Sequence, residues 1–207
     1  MKRTPLIFIL VGIVAAIAGA LLASNVFQNP SAAPALKVGT VLQPPRPLPD
    51  FVFVDHNGQR FDNERLRNRW SLVFFGFVNC ADVCPTTLTV LGSTIKALAD
   101  LPVAQRPQAV FVSVDAKRDT AELLKAYVNN FDPAMIGVTG AQPDLDAFTK
   151  ALGIPSAIRP LDSGYAVDHS AAIIAINPQG EWRALFSPPH TVDGLASDYR
   201  ALAGANR

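Results

Sequence analysis

The feature that most constrains the fold is the stretch of residues 70–88, where an apolar run leads directly into two cysteines and a proline. Residues 72–78 are apolar apart from one glycine, which is typical of a strand buried on both faces in the middle of a parallel sheet. Cys80 and Cys84 follow, and Pro85 favours the first position of a helix. We therefore predict a strand, a short loop that carries both thiols, and a helix. In open α/β sheets, ligand sites usually lie at this carboxyl end of a central strand.

Cys80 and Cys84 are the only cysteines in the chain, so any thiol chemistry depends on this pair. The pattern places Cys84 at or just before the helix N-terminus, where the helix dipole favours an anion and lowers the pKa of a thiol. A lowered pKa would make the thiolate available as a nucleophile or as a metal ligand. The negative charge of Asp82, between the two cysteines, acts in the opposite direction and raises the pKa of a nearby thiol.

The spacing of the two thiols allows three roles. A structural disulfide would close a very short loop and would stabilise the fold by only about 2 kcal/mol. In thiol–disulfide exchange, one thiolate attacks and the other resolves the mixed disulfide. In a soft metal site, two thiolates and an imidazole suit copper, whereas structural zinc normally takes four protein ligands. The residues alone leave thiol exchange and copper binding open.

The three histidines differ in their suitability as ligands. His56 lies in a predicted turn, where we expect it to be solvated. His190 follows two prolines, and we expect it in an exposed loop. His169 immediately precedes an apolar strand, which makes it the best candidate ligand of the three. The residues alone leave open the commoner alternative, a structural histidine with satisfied hydrogen bonds. The neighbour of His169, Asp168, either orients the imidazole ring by a hydrogen bond or is a solvated loop charge.

The rest of the chain predicts alternating strands and helices. An Asn-Gly turn at residues 57–58 between apolar segments indicates a β-hairpin, and residues 108–114 indicate a second buried strand. Residues 164–170 form an approach segment to a strand at residues 171–176. Further helices are predicted at residues 121–130, 144–152 and 193–202, and a short strand at residues 135–138. This order fits an α/β, thioredoxin-like fold with an N-terminal β-hairpin extension and an insertion.

The N-terminal segment predicts the location of the domain. Residues 6–23 form an uncharged apolar run that, as a helix, is about 27 Å long, close to the roughly 30 Å hydrocarbon core of a bilayer. We predict a cytoplasmic tip and single transmembrane anchor over residues 1–24, with a cleavable signal peptide as the alternative. Lys2 and Arg3 precede the run, so the positive-inside rule places the remainder across the membrane. For a bacterial protein, this means the inner membrane with the soluble domain in the periplasm.

The anchor is followed by a predicted tether and a predicted domain. Proline is dense over residues 25–49, which favours an extended spacer, although its end at residues 41–49 is the part most suited to packing on the domain. Residues 50–207 form the predicted domain. The whole chain is 49% hydrophobic, which excludes global disorder. Its formal net charge of +1 gives no reason to propose nucleic acid as a partner.

Four blocks of the sequence carry a resemblance to the Sco/SenC family of membrane-anchored copper proteins, which have a thioredoxin-like fold. The blocks are residues 76–88 with both cysteines, residues 112–115 with 118–120, residues 131–140, and the Val-Asp-His-Ser of residues 167–170. The resemblance implies that Cys80, Cys84 and His169 bind one copper ion as Cu(I) or Cu(II). Ala81 stands where many members have proline, which removes no ligand. Asp115 and Arg118 match the second block, but the sequence gives them no physical role beyond loop structure.

The resemblance also implies a function in the assembly of the CuA centre of cytochrome c oxidase, by copper delivery, by thiol reduction, or by both. The expected partners are the oxidase subunit that carries CuA or another copper chaperone. On this reading the protein is a metallochaperone rather than an enzyme. The alternative is a periplasmic thiol–disulfide oxidoreductase that uses Cys80 and Cys84 as a redox pair on protein dithiols without copper.

Overall fold

The computed structural model describes residues 12–17, 19, 34–154 and 156–205 of the 207-residue chain. The described residues from Pro34 onward belong to one compact unit. Residues 12–17 are helical. Within the described ranges, no helix has both the length and the hydropathy that a membrane span requires. Most of the predicted anchor at residues 6–23 lies outside the described residues.

The compact unit contains ten strands and four α-helices in its described part. The strands are β1 (Gly39–Pro47), β2 (Val52–Asp55), β3 (Arg60–Asp62), β4 (Ser71–Gly76), β5 (Gln108–Ser113), β6 (Ile136–Thr139), β7 (Ser156–Pro160), β8 (Tyr165–His169), β9 (Ile173–Ile176) and β10 (Glu181–Phe186). The helices are α1 (Val83–Ala97), α2 (Ala121–Asn129), α3 (Gln142–Leu152) and α4 (Val192–Ala205), with short 3₁₀ turns at Asn63–Leu66 and Val103–Gln105.

Eight of these strands form one mixed sheet in the order β1-β10-β9-β4-β5-β6-β2-β3. Strand β4 lies at its centre, parallel to β5 on one side and antiparallel to β9 on the other. Every residue of β4 and β5 is buried, as the continuous apolar runs predict. The predicted α/β architecture, with the hairpin β2–β3 added at one edge, is therefore confirmed.

The two faces of the sheet bury separate apolar layers. Along β4, Leu72 and Phe74 face one layer, and Val73 and Phe75 face the other, because successive strand residues point to opposite faces. Helices α1, α2 and α4 cover the first face, and helix α3 covers the second. Side chains of the hairpin β2–β3 pack in the second layer as well. The carboxyl end of β4 thus opens into a loop that is fixed by two packed layers.

The end of the predicted tether is part of the domain. Strand β1 pairs antiparallel with β10 at the edge of the sheet, where prolines are tolerated. Where β1 begins, the backbone N–H groups of Lys37, Val38 and Gly39 donate to the buried carboxylate of Asp198 at 2.7, 2.9 and 2.9 Å. The end of the tether therefore packs on the domain, as was considered for residues 41–49. The packing already begins at Lys37.

The approach segment at residues 164–170 is mostly a strand. Strand β8 pairs antiparallel with β7 in a two-stranded sheet separate from the main one. Most of its residues are only partly buried, so the segment lacks the apolar signal that revealed the central strands. The sequence predicted an insertion without giving it a position, so that part of the prediction is not tested by this small sheet.

His56 is partly buried, so the prediction of a solvated turn residue is wrong. Its ring Nδ1 accepts a hydrogen bond from the backbone N–H of Gly137 at 2.9 Å, and the backbone N–H of His56 donates to the Gly137 carbonyl at 2.8 Å. Burial lowers the pKa of His56 below its ordinary value. The neutral ring therefore joins the turn of the β2–β3 hairpin to β6.

We expect acid to remove part of the stability of the fold through His56. Because burial holds the folded-state pKa of His56 below its ordinary value of about 6.5, the unfolded chain takes up the proton first as the pH falls. The free energy of unfolding therefore decreases as the pH drops below about 6.5. The variant His56→Gln cannot titrate and should lose less stability, by on the order of 1 kcal/mol, the contribution of one hydrogen bond. Urea unfolding of both proteins above and below this pH measures the difference, and an equal loss in both would contradict the prediction.

Candidate metal centre

The cysteine loop connects the end of β4 to α1. Helix α1 begins at Val83, two residues before the predicted start at Pro85, so Cys84 lies inside the first turn of the helix and is fully buried. Cys80 is half-buried in the loop, and the backbone N–H of Cys84 points to its Sγ at 3.4 Å. Both cysteines are free thiols. The structure therefore presents one accessible thiol and one buried thiol.

His169 completes a cluster with the two thiols. It is the last residue of β8, and its Nε2 lies 3.3 Å from Cys84 Sγ and 3.7 Å from Cys80 Sγ. The three side-chain atoms all lie within 4.8 Å of one another. In the part of the chain that the structure describes, this is the one group of three or more His, Cys, Asp or Glu residues close enough to hold a metal ion.

The backbone orients the His169 ring for coordination. Its Nδ1 lies 3.0 Å from the carbonyl oxygen of Ser170, to which it donates when it carries the proton. That tautomer leaves the lone pair on Nε2, which faces the two sulfur atoms. Asp168 does not take part, because its exposed carboxylate pairs with Arg159, with Nη2 at 3.0 Å from Oδ1. This pairing lowers the pKa of Asp168, which matches the alternative of a solvated loop charge.

The other two histidines lie outside the cluster. His56 has the backbone partners described above. His190 is half-buried rather than exposed, and its Nε2 lies 2.7 Å from the carbonyl oxygen of Ala171. It therefore holds the chain two residues beyond His169, but the structure does not bring its ring to the thiols.

The pKa of the Cys84 thiol is raised, so the expectation that the helix N-terminus lowers it is wrong for the metal-free protein. Burial is the largest cause, and the neighbouring Cys80 and the charge of Asp119 act in the same direction. The start of the helix was predicted to within two residues. The loss of solvation of the thiolate raises the pKa of Cys84 by more than the helix dipole lowers it. A metal ion that binds here must displace the proton of Cys84, so its apparent affinity falls as the pH falls.

Sequence reasoning noted two carboxylates, Asp115 and Asp119, but missed that they are buried behind the cysteine loop. Asp119 Oδ2 accepts from the N–H of Val78 at 2.9 Å and from the hydroxyl of Ser113 at 2.6 Å, which fixes the chain between β4 and Cys80. Asp115 accepts a hydrogen bond from the hydroxyl of Tyr165 at 2.7 Å and pairs with Arg118. The available signal was that charged residues directly follow a buried strand, where a polar side chain needs a partner.

The donor set determines which metal fits. Two thiolates are soft ligands that select Cu(I), and an imidazole extends the site to Cu(II). The fourth protein ligand that structural zinc requires is not present among the described residues near these atoms. Three convergent donors, two of them on half-buried residues, suit an ion that is bound by few ligands.

The chain matches known proteins over most of its length. A model of the SCO1/SenC family matches residues 41–204. A putative copper-binding protein of Stutzerimonas stutzeri is 37% identical over 153 residues, which cover 72% of this chain and 74% of that protein. The mitochondrial SCO2 homolog of Bos taurus is 30% identical over 160 residues, and the match spans 60% of that relative and 76% of this chain.

The structure also resembles a solved protein that holds copper. The copper-bound structure of ScoI from Bradyrhizobium japonicum matches with a TM-score of 0.67 and 29% sequence identity. The match covers 74% of this chain and 98% of that one. The predicted thioredoxin-like class is thus confirmed at the level of the fold.

Proposed function

The chain belongs to the SCO1/SenC family, and from that premise we propose that it binds one copper ion through Cys80, Cys84 and His169 and helps assemble the CuA centre of cytochrome c oxidase. The observation that carries the proposal is the convergence of two thiols and an imidazole within 4.8 Å. These donors come from two segments far apart in sequence, and a metal ion is the chemistry that uses all three together.

The geometry favours an ion that moves between proteins. Cu(I) is satisfied by two thiolates, so His169 can leave or join without loss of the ion. Cys80 is half-buried, so a thiolate of a partner can reach the copper from its side while Cys84 still holds it. Delivery to the oxidase subunit that carries CuA, or to another copper chaperone, would proceed by such ligand exchange.

The N-terminal segment supports a location at a bacterial inner membrane. The apolar run at residues 6–23 follows Lys2 and Arg3, which favours a single anchor with the compact unit in the periplasm. The chain between the run and β1 would then be the spacer. This placement would put the copper site on the side of the membrane where we propose that its client is assembled.

A second candidate function is thiol–disulfide exchange in which this chain reduces the disulfide of a partner protein to a dithiol. The observation in its favour is that Cys80 and Cys84 lie close to each other, with their sulfur atoms within 4.8 Å. In that case the accessible Cys80 thiolate attacks one sulfur of the partner's disulfide and forms a mixed disulfide. Cys84 then attacks Cys80, which releases the partner as a dithiol and leaves a Cys80–Cys84 disulfide. Burial and the raised pKa of Cys84 slow such a reaction, since the thiolate is the attacking species.

A Cu(II) titration of the reduced protein tests the proposal. We expect a persistent sulfur-to-copper charge-transfer band that saturates at one copper per protein. The variant His169→Ala should lose the band and bind Cu(II) more than about 100-fold more weakly, because loss of a ligand exceeds the roughly 10–100-fold cost of losing an outer hydrogen-bond partner. Absorption spectroscopy measures both.

The variant His56→Gln is the matched control, because it removes a histidine remote from the thiols and should bind copper like the wild type. Unchanged binding in His169→Ala would remove His169 from the site. Prompt formation of a Cys80–Cys84 disulfide without retained copper would contradict the copper proposal and favour thiol exchange.

A further inference from the structure

The segment that carries His169 packs on the rest of the domain through few buried apolar residues. We call residues 156–169, which comprise β7, β8 and their connection, the histidine arm. The arm forms its own two-stranded sheet, with no strand pairing to the main sheet. All of its residues are described, and Val167 alone among them is buried. Apolar packing alone therefore gives the arm little to fix the position of its terminal imidazole.

One face of the arm is turned towards the domain. Side chains alternate along a strand, so Tyr165, Val167 and His169 lie on the same face of β8. Asp168 lies on the opposite face and is exposed. Tyr165 is about 13 Å from His169 along the strand, at the rise of roughly 3.3 Å per residue. A contact that fixes Tyr165 therefore also limits where His169 can lie.

Tyr165 is held by the buried carboxylate of Asp115, which lies in the loop after β5 of the main sheet. Its hydroxyl donates to Asp115 Oδ1 at 2.7 Å, and Asp115 has no exposed surface. Asp115 follows β5, the parallel neighbour of the strand that leads into the cysteine loop. Arg118 Nε donates to the other oxygen of the same carboxylate. The carboxylate thus has one partner on the arm and one on its own loop.

Arg118 also lies between the two segments that carry the ligands. Its guanidinium carbon is 4.1 Å from the centre of the Tyr165 ring, on the arm, and 5.7 Å from the centre of the Phe77 ring, at the start of the cysteine loop. The Phe77 ring in turn meets the His169 ring edge to face, with 5.5 Å between their centres. One cation therefore contacts an aromatic ring from each side of the site.

We propose that Asp115, Arg118 and Tyr165 form a clasp that fixes the distance between the His169 imidazole and the two thiols, and thereby sets the affinity for Cu(II) relative to Cu(I). This inference rests on the copper function proposed above. Cu(I) is held by two thiolates of the cysteine loop, which do not depend on the arm. Cu(II) needs the imidazole, so its affinity depends on how firmly the arm is docked. The three residues act through His169 and are positioning residues.

The variant Tyr165→Phe tests the clasp, because it keeps the ring and removes only the hydroxyl. We expect the affinity for Cu(II) to fall about tenfold, the effect of losing one hydrogen bond to a charged group, and the affinity for Cu(I) to change by less than about threefold. The sulfur-to-copper band should weaken or shift. In the metal-free protein, amide hydrogen exchange over residues 165–169 should become faster.

The variant Tyr199→Phe is the matched control. It removes a tyrosine hydroxyl that donates to the Gln105 carbonyl, away from the arm, and should leave the copper affinities, the band and the exchange of residues 165–169 unchanged. Equal Cu(II) affinity in Tyr165→Phe and the wild type would overturn the clasp, as would equal losses for Cu(I) and Cu(II). Failure of the wild type itself to bind copper would instead overturn the proposed function.

Discussion

Replacing Cys84 with serine is expected to abolish retention of Cu(I) and of Cu(II). Cys84 Sγ is the sulfur atom nearest to His169 Nε2, at 3.3 Å, and a hydroxyl is a poor ligand for a soft ion. The remaining site would have one thiolate and one imidazole, so we expect the affinity for Cu(I) to fall by more than the roughly 100-fold that loss of an outer hydrogen-bond partner costs. Competition with a Cu(I) chelator measures the loss.

The variant Cys84→Ala separates loss of a ligand from loss of the fold. Cys84 has no exposed surface, so serine adds the cost of a buried hydroxyl, about 1–3 kcal/mol when it is unpaired, which alanine avoids. Both variants should lose copper, while Cys84→Ala should be the more stable of the two in urea. Retention of one copper per protein by Cys84→Ala would show that this sulfur is not a ligand.

The fold was predictable where burial leaves a continuous apolar signal. Strands β4 and β5 are buried at every residue, and both were predicted from their apolar runs. The turn at Gly58, which has a φ of 74°, was predicted because Asn-Gly favours this conformation. The edge strand β1 was hidden among prolines, because its pairing with β10 depends on residues more than a hundred positions away.

The three residues that the structure brings together could be named from the sequence, but their electrostatics could not. Two thiols after a buried strand indicated reactive chemistry, whereas His169 was selected from three histidines mainly through the family resemblance. Its position depends on β8, whose partner β7 gives no apolar signal. The raised pKa of Cys84 depends on burial by residues from other elements, which spacing along the chain does not reveal.

The roles of Asp115 and Arg118 could not be inferred from their own surroundings in the sequence. Their common partner, Tyr165, lies 50 positions from Asp115, on the histidine arm. A buried carboxylate beside a guanidinium reads locally as loop structure. The three-dimensional contact makes the pair part of the connection between the arm and the cysteine loop.

Gly76→Ala is expected to destabilise the fold and to weaken copper binding at the same time. A Cβ at this position would lie 2.6 Å from Cys84 Sγ and 2.9 Å from Phe111 Cε2, closer than atoms can approach. Because Gly76 ends β4 inside the packed core, the neighbours must move, at a cost of about 1–3 kcal/mol. The atom most directly displaced is Cys84 Sγ, so we expect the affinity for Cu(II) to fall by more than about tenfold.

The variant Gly140→Ala distinguishes displacement of the thiol from general overpacking. Its Cβ would lie 2.5 Å from Phe53 Cδ1, an equally severe contact, but in the layer on the opposite face of the sheet from Cys84. Urea unfolding should show a comparable loss of stability for both variants, while only Gly76→Ala loses copper affinity in a titration followed by the charge-transfer band. Equal copper binding by the two variants would mean that the contact between Gly76 and Cys84 does not set the thiol position. In that case Gly76 would be required only for packing of the core. A loss of copper affinity in Gly76→Ala alone would mean that the absence of a side chain at Gly76 also positions the Cys84 thiol for the metal.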